Sequence, residues 1–305
     1  MAKARTRRTA QIGLCLSFVL LLGATDAFAK KRVRFKDLPV IAAKGDTPIR
    51  LRANASGGVV FTSSNPKVAR IKGSKLRIVR PGVTRITAIS RNGSSRSASQ
   101  RLTVGTSGGF LGSTLASAPN LLISPSAAPI FDPISGAPTL VASGQTSCTL
   151  RNAGYLGSFQ IASIVPGSGF IRDIRVRCGP NPAAMQIVIM SGSPGLYGTA
   201  LRTSQVFVPR ANTVTTVRVN LPVTRALSGS VQTTDAVGLN VFGSGTMPLV
   251  DQGTGGTFAT GSALLQHWYP IMRIGEPENG RAYTVDGIEL LLAWEYIQVG
   301  EGVTR

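Results

Sequence analysis

From Ile49 onward, apolar and polar residues alternate in short runs: Ile49-Arg50-Leu51-Arg52-Ala53, Val68-Ala69-Arg70-Ile71-Lys72, Leu76-Arg77-Ile78, Arg85-Ile86-Thr87-Ala88-Ile89 and Arg101-Leu102-Thr103-Val104. Successive side chains of a strand point to opposite faces, so this period gives each run one buried and one solvated face. The solvated face is cationic. Turn-forming pairs separate the runs, at Gly57-Gly58, Asn65-Pro66, Gly73-Ser74, Pro81-Gly82 and Asn92-Gly93. Short alternating strands with this punctuation predict an antiparallel β-sandwich.

A second β pattern begins near Ser147. Its candidate strands are 158–165, 170–177, 184–190, 214–220, 237–242 and 287–296, with turns such as Gly179-Pro180-Asn181-Pro182. No stretch carries a 3.6-residue apolar stripe with caps, so little helix is expected. Residues 105–145 differ in character: Gly, Ser, Ala, Pro and Thr dominate, and Pro119, Pro125, Pro129, Pro133 and Pro138 recur at short spacing. Such a segment reads as a linker, stiffened where proline is dense. The expected chain is therefore all-β, with an N-terminal sandwich over 30–104, a Pro/Gly/Ser/Ala-rich linker over 105–145 and a C-terminal jelly-roll-like β-sandwich over 146–305.

Three segments carry a family resemblance. Gly45-Asp46-Thr47, the stretch from Phe61 through Ser63-Ser64-Asn65-Pro66 to Ala69, and the stretch from Arg80-Pro81-Gly82 to Ala88 resemble the group 2 bacterial immunoglobulin-like domain, in order and spacing, over about residues 38–104. The resemblance implies an immunoglobulin-like sandwich of the kind found in surface and secreted proteins as an adhesive or spacing unit. The C-terminal region, through Arg175-Val176-Arg177-Cys178, Met185 to Met190 and Val237-Gly238-Leu239-Asn240, is loosely similar to uncharacterised β-sandwich domains of exported bacterial proteins. That similarity implies no activity.

The amino terminus predicts export. Lys3, Arg5, Arg7 and Arg8 form a basic region, Ile12 to Gly23 a short apolar stretch, and Ala27-Phe28-Ala29 a small-residue cleavage signal. Cleavage is expected near Ala29, in residues 1–29 as a signal peptide. The apolar stretch falls short of the ~20 residues that span a bilayer. No later segment predicts a span, because the apolar run from Ile288 to Val299 contains Glu289 and Glu295. The expected location is secreted or associated with the cell envelope. Cleavage removes Cys15 and leaves Cys148 and Cys178, which in an oxidising compartment are expected to form one disulfide; two buried thiols are the alternative.

Charge is segregated. The chain holds 33 Lys and Arg against 13 Asp and Glu, a formal +20. Residues 30–104 hold 18 Lys and Arg against Asp37 and Asp46, so this segment alone carries +16, while residues 105–305 are nearly neutral. A face this basic attracts polyanions through counterion release and long-range steering. Arg50, Arg52, Arg70, Lys72, Arg77 and Arg85 are the candidate contacts, and an anionic envelope polymer or surface glycan is the expected partner, with another envelope protein as a further candidate. Specific nucleic-acid recognition lacks support, since Phe35 and Phe61 are the only aromatic residues available for base stacking in this segment.

No catalytic constellation emerges. Gly105-Thr106-Ser107-Gly108-Gly109 fits the pattern of a serine-hydrolase elbow, but an elbow needs a strand before it and a helix after it. His267 is the only histidine. No metal site, cofactor or catalytic residue is expected. Glu276, Glu278, Glu289 and Glu295 are conceivable as paired carboxylates for glycoside hydrolysis, though nearness in sequence sets no carboxylate distance. Trp268, Tyr269 and Trp294 are candidate glycan contacts if they face solvent, and core residues if they do not. The leading expectation is a non-catalytic, exported binding or adhesion protein. A carbohydrate-active enzyme with an accessory immunoglobulin-like domain and a structural surface-layer component are the alternatives.

Overall fold

The computed structural model describes residues 31–300 except 56, 94, 120–121, 124–127, 132–137, 142–147, 153–154, 157–159, 162, 193–198, 229–230, 244, 247, 252–256, 259–260, 263, 269–270 and 275–282. The expected leader and its cleavage point lie outside the described residues, as do Tyr269, Glu276 and Glu278. The chain is all-β, built from antiparallel sheets in the manner of a β-sandwich, and no helix occurs among the described residues.

The N-terminal strands are β1 (Arg34–Lys36), β2 (Ile41–Ala43), β3 (Ile49–Arg50), β4 (Arg52–Asn54), β5 (Val59–Ser63), β6 (Ala69–Lys72), β7 (Lys75–Ile78), β8 (Gly82–Ser90) and β9 (Ala98–Gly112). Strands β1 and β4 pair in a two-stranded sheet of their own, and the others form two layers. One is the sheet β3-β7-β6; the other runs β9-β8-β5, with β2 added parallel to β9. The alternation decides which faces meet: Leu76 and Ile78 of β7 are buried while Lys75 and Arg77 between them are exposed. Leu51, Val68, Ala69, Leu76 and Ile78 pack against Ile86, Leu102 and Val104 in one core, with Phe35 and Phe61 at its side. Each fully buried Leu or Ile contributes about 1.5–3 kcal/mol relative to exposure. The β6-β7 hairpin closes through Gly73-Ser74, between paired Lys72 and Lys75, and Gly73 takes the φ of +61° that such a turn requires.

The C-terminal region is likewise built of two layers. In one, strands Ala200–Thr203, Ala184–Gly192, Val231–Phe242, Cys148–Asn152, Leu264–Trp268 and Tyr283–Asp286 lie side by side in that order. In the other, strand Val214–Val223 pairs with Gly169–Arg177, which pairs with Leu292–Gln298. Ile171, Ile174, Val176, Trp294 and Tyr296 of the second layer meet Leu150, Met185, Ile187, Ile189, Leu239 and Val241 of the first.

The expected linker does not begin at Gly105. Strand β9 runs on for 15 residues, pairing with β8 through Val104 and then with Leu292–Gln298 from Thr106 to Gly112. One seven-stranded sheet therefore crosses from the N-terminal sandwich into the C-terminal region. The glycines that suggest a linker serve close strand approach instead: a Cβ on Gly105 would collide with the Gln298 carbonyl oxygen, and one on Gly112 with that of Leu292. Gly108 and Gly109 together oppose Tyr296, a β-bulge in which Gly109 has a φ of +77°. Further along the expected linker, Ala128–Phe131 pairs with Pro138–Val141, and Leu122–Ile123 pairs with Gly245–Thr246.

Most expected C-terminal strands lie close to the observed ones. Two differ. The apolar run 287–296 is split at Leu291, whose N–H bonds the Pro248 carbonyl: Ile288–Leu290 pairs with Leu249–Asp251, and Leu292–Gln298 joins the long sheet. In the run 158–165, Gln160–Ile161 is a short strand and Ile164 makes one isolated bridge to Ala236.

Cys148 and Cys178 are buried in the same apolar core and are not bridged, so the expected disulfide is absent from the structure. Cys148 sits on one layer, opposite Val241, and Cys178 follows the strand Gly169–Arg177 on the other. A thiol in such surroundings packs as a small apolar side chain. Burial pushes the Cys178 thiol up to about 12.

Candidate polyanion-binding face

The cations gather on the outer face of the β3-β7-β6 layer because cores and charges alternate in each strand. Pairing then sets them side by side: Arg70 lies opposite Arg77, and Lys72 opposite Lys75, which on its other side lies opposite Arg50. All five are exposed. The chain from Ile49 to Asn54 continues the row beyond β7, with Arg50 exposed, Leu51 buried and Arg52 exposed, so Arg50 and Arg52 share a face. Arg52 then lies opposite Lys36 of β1, and Asn54 opposite Arg34.

Eight exposed cations thus occupy four successive rows: Arg70 with Arg77; Lys72, Lys75 and Arg50; Arg52 with Lys36; and Arg34. Rows two residues apart along a strand are separated by about 6.6–6.8 Å, and neighbours across strands by about 4.8 Å. Like charges directly opposed in a sheet are destabilising. Among the described residues no carboxylate forms an ion pair with any of the eight.

The two acids of the segment do not relieve this. Asp46 accepts a hydrogen bond from the Ala43 N–H at 2.8 Å and from Arg172 Nη1 at 2.6 Å, so its charge is committed to an arginine of the C-terminal region. Asp37 is an exposed residue with a φ of +60° after β1. Of the expected contacts, Arg50, Arg52, Arg70, Lys72 and Arg77 share the face. Arg85 does not: it lies on the other layer, opposite Arg101 of β9. Sequence reading missed Arg34, Lys36 and Lys75. The Gly73-Ser74 turn signals the Lys72–Lys75 pairing, whereas the β1-β4 pairing joins residues with no local signal between them.

Of the aromatic candidates, Trp268 and Trp294 do not form a sugar-binding surface. Trp268 is 1% exposed, packed with Val188, Met190, Ala200, Ala236 and Met272, and the Arg151 guanidinium carbon lies 5.6 Å from its ring centroid. Trp294 is 2% exposed within the main core. Neither ring has a face open for stacking, which removes both as glycan contacts.

The elbow-like motif is the bulged strand described above, not a strand-to-helix turn. Ser107 Oγ donates to Glu295 Oε1 at 3.0 Å, and both oxygens of Glu295 also accept from Arg172. His267 lies in the other layer, paired in register with Leu150 and Tyr283. Glu289 is buried in the short strand Ile288–Leu290. Two shallow clefts, of about 340 and 430 Å³, flank strand Ala200–Thr203; no carboxylate, histidine or cysteine lines either one. The chain matches no family model and no curated protein.

Proposed function

We propose that this is an exported, non-catalytic binding or adhesion protein whose N-terminal sandwich, an immunoglobulin-like domain of the bacterial group 2 kind, holds it to anionic polymers of the cell envelope. The observation that carries this reading is the face of eight exposed cations, four pairs of them in direct cross-strand opposition and none with a carboxylate partner among the described residues. A fold that accepts such repulsion gains from an external polyanion what it lacks within, and the counterions released on binding supply the free energy. The nearly neutral C-terminal region is joined to it through one continuous sheet, which suits a module that presents the rest of the chain at a surface. No helix among the described residues is long and apolar enough to cross a membrane.

The test is a pull-down of the mature protein on isolated cell walls across a salt series. Binding is expected at low salt and should decline steeply as salt rises. Absence of binding at low salt overturns the proposal.

A further inference from the structure

We infer that the cationic face is a linear track for one extended phosphodiester polymer with three carbons between successive phosphates, an inference that rests on the polyanion reading above. The first two rows follow β7, and the alternation of exposed Arg50, buried Leu51 and exposed Arg52 carries the series from β3 into β4, which pairs with β1 in a sheet of its own; at two residues per row the four rows correspond to about 20 Å of extended chain. The face is therefore elongated, and its charge repeats at a regular interval.

That interval selects a chemistry. Two residues of an extended strand advance the backbone through six covalent bonds and about 6.6–6.8 Å. A chain in which phosphates are joined through three carbons also has six bonds from one phosphorus to the next, so at full extension its anions repeat at about the same distance as the rows. Each phosphate can then sit over one row, where arginine forks and lysine ammonium groups donate to its oxygens. The first three rows offer two or three cations each, and the last offers Arg34. Inorganic polyphosphate has only two bonds per repeat and crowds its charge onto a fraction of the track. A nucleic-acid strand shares this six-bond repeat, but its bases would find no ring to stack on, because Phe35 and Phe61 both pack against the N-terminal core; a base-free polymer is the occupant.

The experiment titrates the mature protein with defined three-carbon phosphodiester oligomers of about two to ten phosphates, and with inorganic polyphosphates of matched charge, at several salt concentrations. Affinity should climb with each phosphate up to about four, the number of rows, and then level off to a statistical increase. Polyphosphate should level off only at about three times as many phosphates. The variants R70Q/R77Q and R34Q, each removing one end row, should move the plateau down by about one phosphate and flatten the salt slope by about one. The variant R85Q/R91Q, which alters Arg85 of β8 in the other layer and exposed Arg91 in the turn after β8, should leave the plateau in place. Circular dichroism confirms that each variant remains folded.

Affinity that follows total charge regardless of spacing, or an equal loss in R85Q/R91Q, overturns the track while leaving polyanion binding intact. Failure of every probe to bind at low salt overturns both.

Discussion

Arg172 grips Glu295 with two parallel hydrogen bonds, Nε to Oε2 and Nη2 to Oε1, both at 2.8 Å. Its remaining nitrogen, Nη1, reaches Asp46 of the N-terminal sandwich. The same junction is packed by Ile41 and Ala43 against Ile297 and Val299. Burial works to lower the Arg172 pKa, but the hydrogen bonds to Glu295 and Asp46 outweigh it and hold the guanidinium above its ordinary value.

Removing Arg172 strands a buried carboxylate. Arg172→Ala should destabilise the protein by about 3–5 kcal/mol, because the Glu295 charge loses its partner in a desolvated site. The double variant R172M/E295L should recover most of that loss, since apolar residues of similar size need no pairing. Denaturant midpoints of the three proteins check this; equal losses in the single and double variants would sink it. Asp46→Ala should cost about 1 kcal/mol or less, as its carboxylate is a quarter exposed.

Gly105 distinguishes a strand from a linker. Gly105→Ala should cost about 1–3 kcal/mol, since the added methyl meets the Gln298 carbonyl and the backbones must part. A flexible linker would tolerate the change. Thermal unfolding that is unaltered in the variant would remove the continuous sheet.

The repulsion on the cationic face should be measurable. Lys75 lies between Arg50 and Lys72, so Lys75→Glu turns two repulsive pairs into attractive ones and should stabilise the fold by about 0.4–2 kcal/mol at low salt. The same substitution should weaken polyanion binding. Added salt should shrink the stability gain, because exposed charges are screened within about a Debye length of 8–10 Å. Urea midpoints at low and high salt, set beside a binding titration, test both halves.

Cys148 and Cys178 should be unreactive in the native protein and react only on unfolding. Cys178 is fully buried with its thiol pushed up to about 12, so almost no thiolate is present near neutral pH. A colorimetric thiol assay should read near zero in native buffer and two thiols per mature chain in denaturant. A reading of zero in denaturant would mean that the pair is oxidised.

Much of the fold was legible because its signal is local. Alternation in Lys75-Leu76-Arg77-Ile78 names the buried and exposed faces of β7 without reference to anything else, and the observed burial follows it residue by residue. The run 170–177 is equally plain, and the observed strand, Gly169–Arg177, begins one residue earlier. The run 105–112 was misread for a physical reason: glycine and serine serve both a flexible chain and a strand pressed against its neighbour, and only the position of Gln298 tells them apart. Trp268 and Trp294 were ambiguous for a similar reason, as an aromatic residue on a strand faces core or solvent according to what covers it.

The sequence by itself determined the all-β class and the concentration of positive charge in residues 30–104, since strand periodicity and composition need no partner to be read. Tertiary structure alone decided which cations stand together. Arg70 and Arg77 meet through a hairpin, but Arg52 meets Lys36, and Arg85 is turned to the opposite layer, through pairings set by the packing of the whole sandwich. Register between distant strands is a property of the closed core, because a slip of one residue would carry Leu51, Leu76 and Ile86 out of it. That core, more than any local motif, aligns eight scattered cations into one row-by-row face.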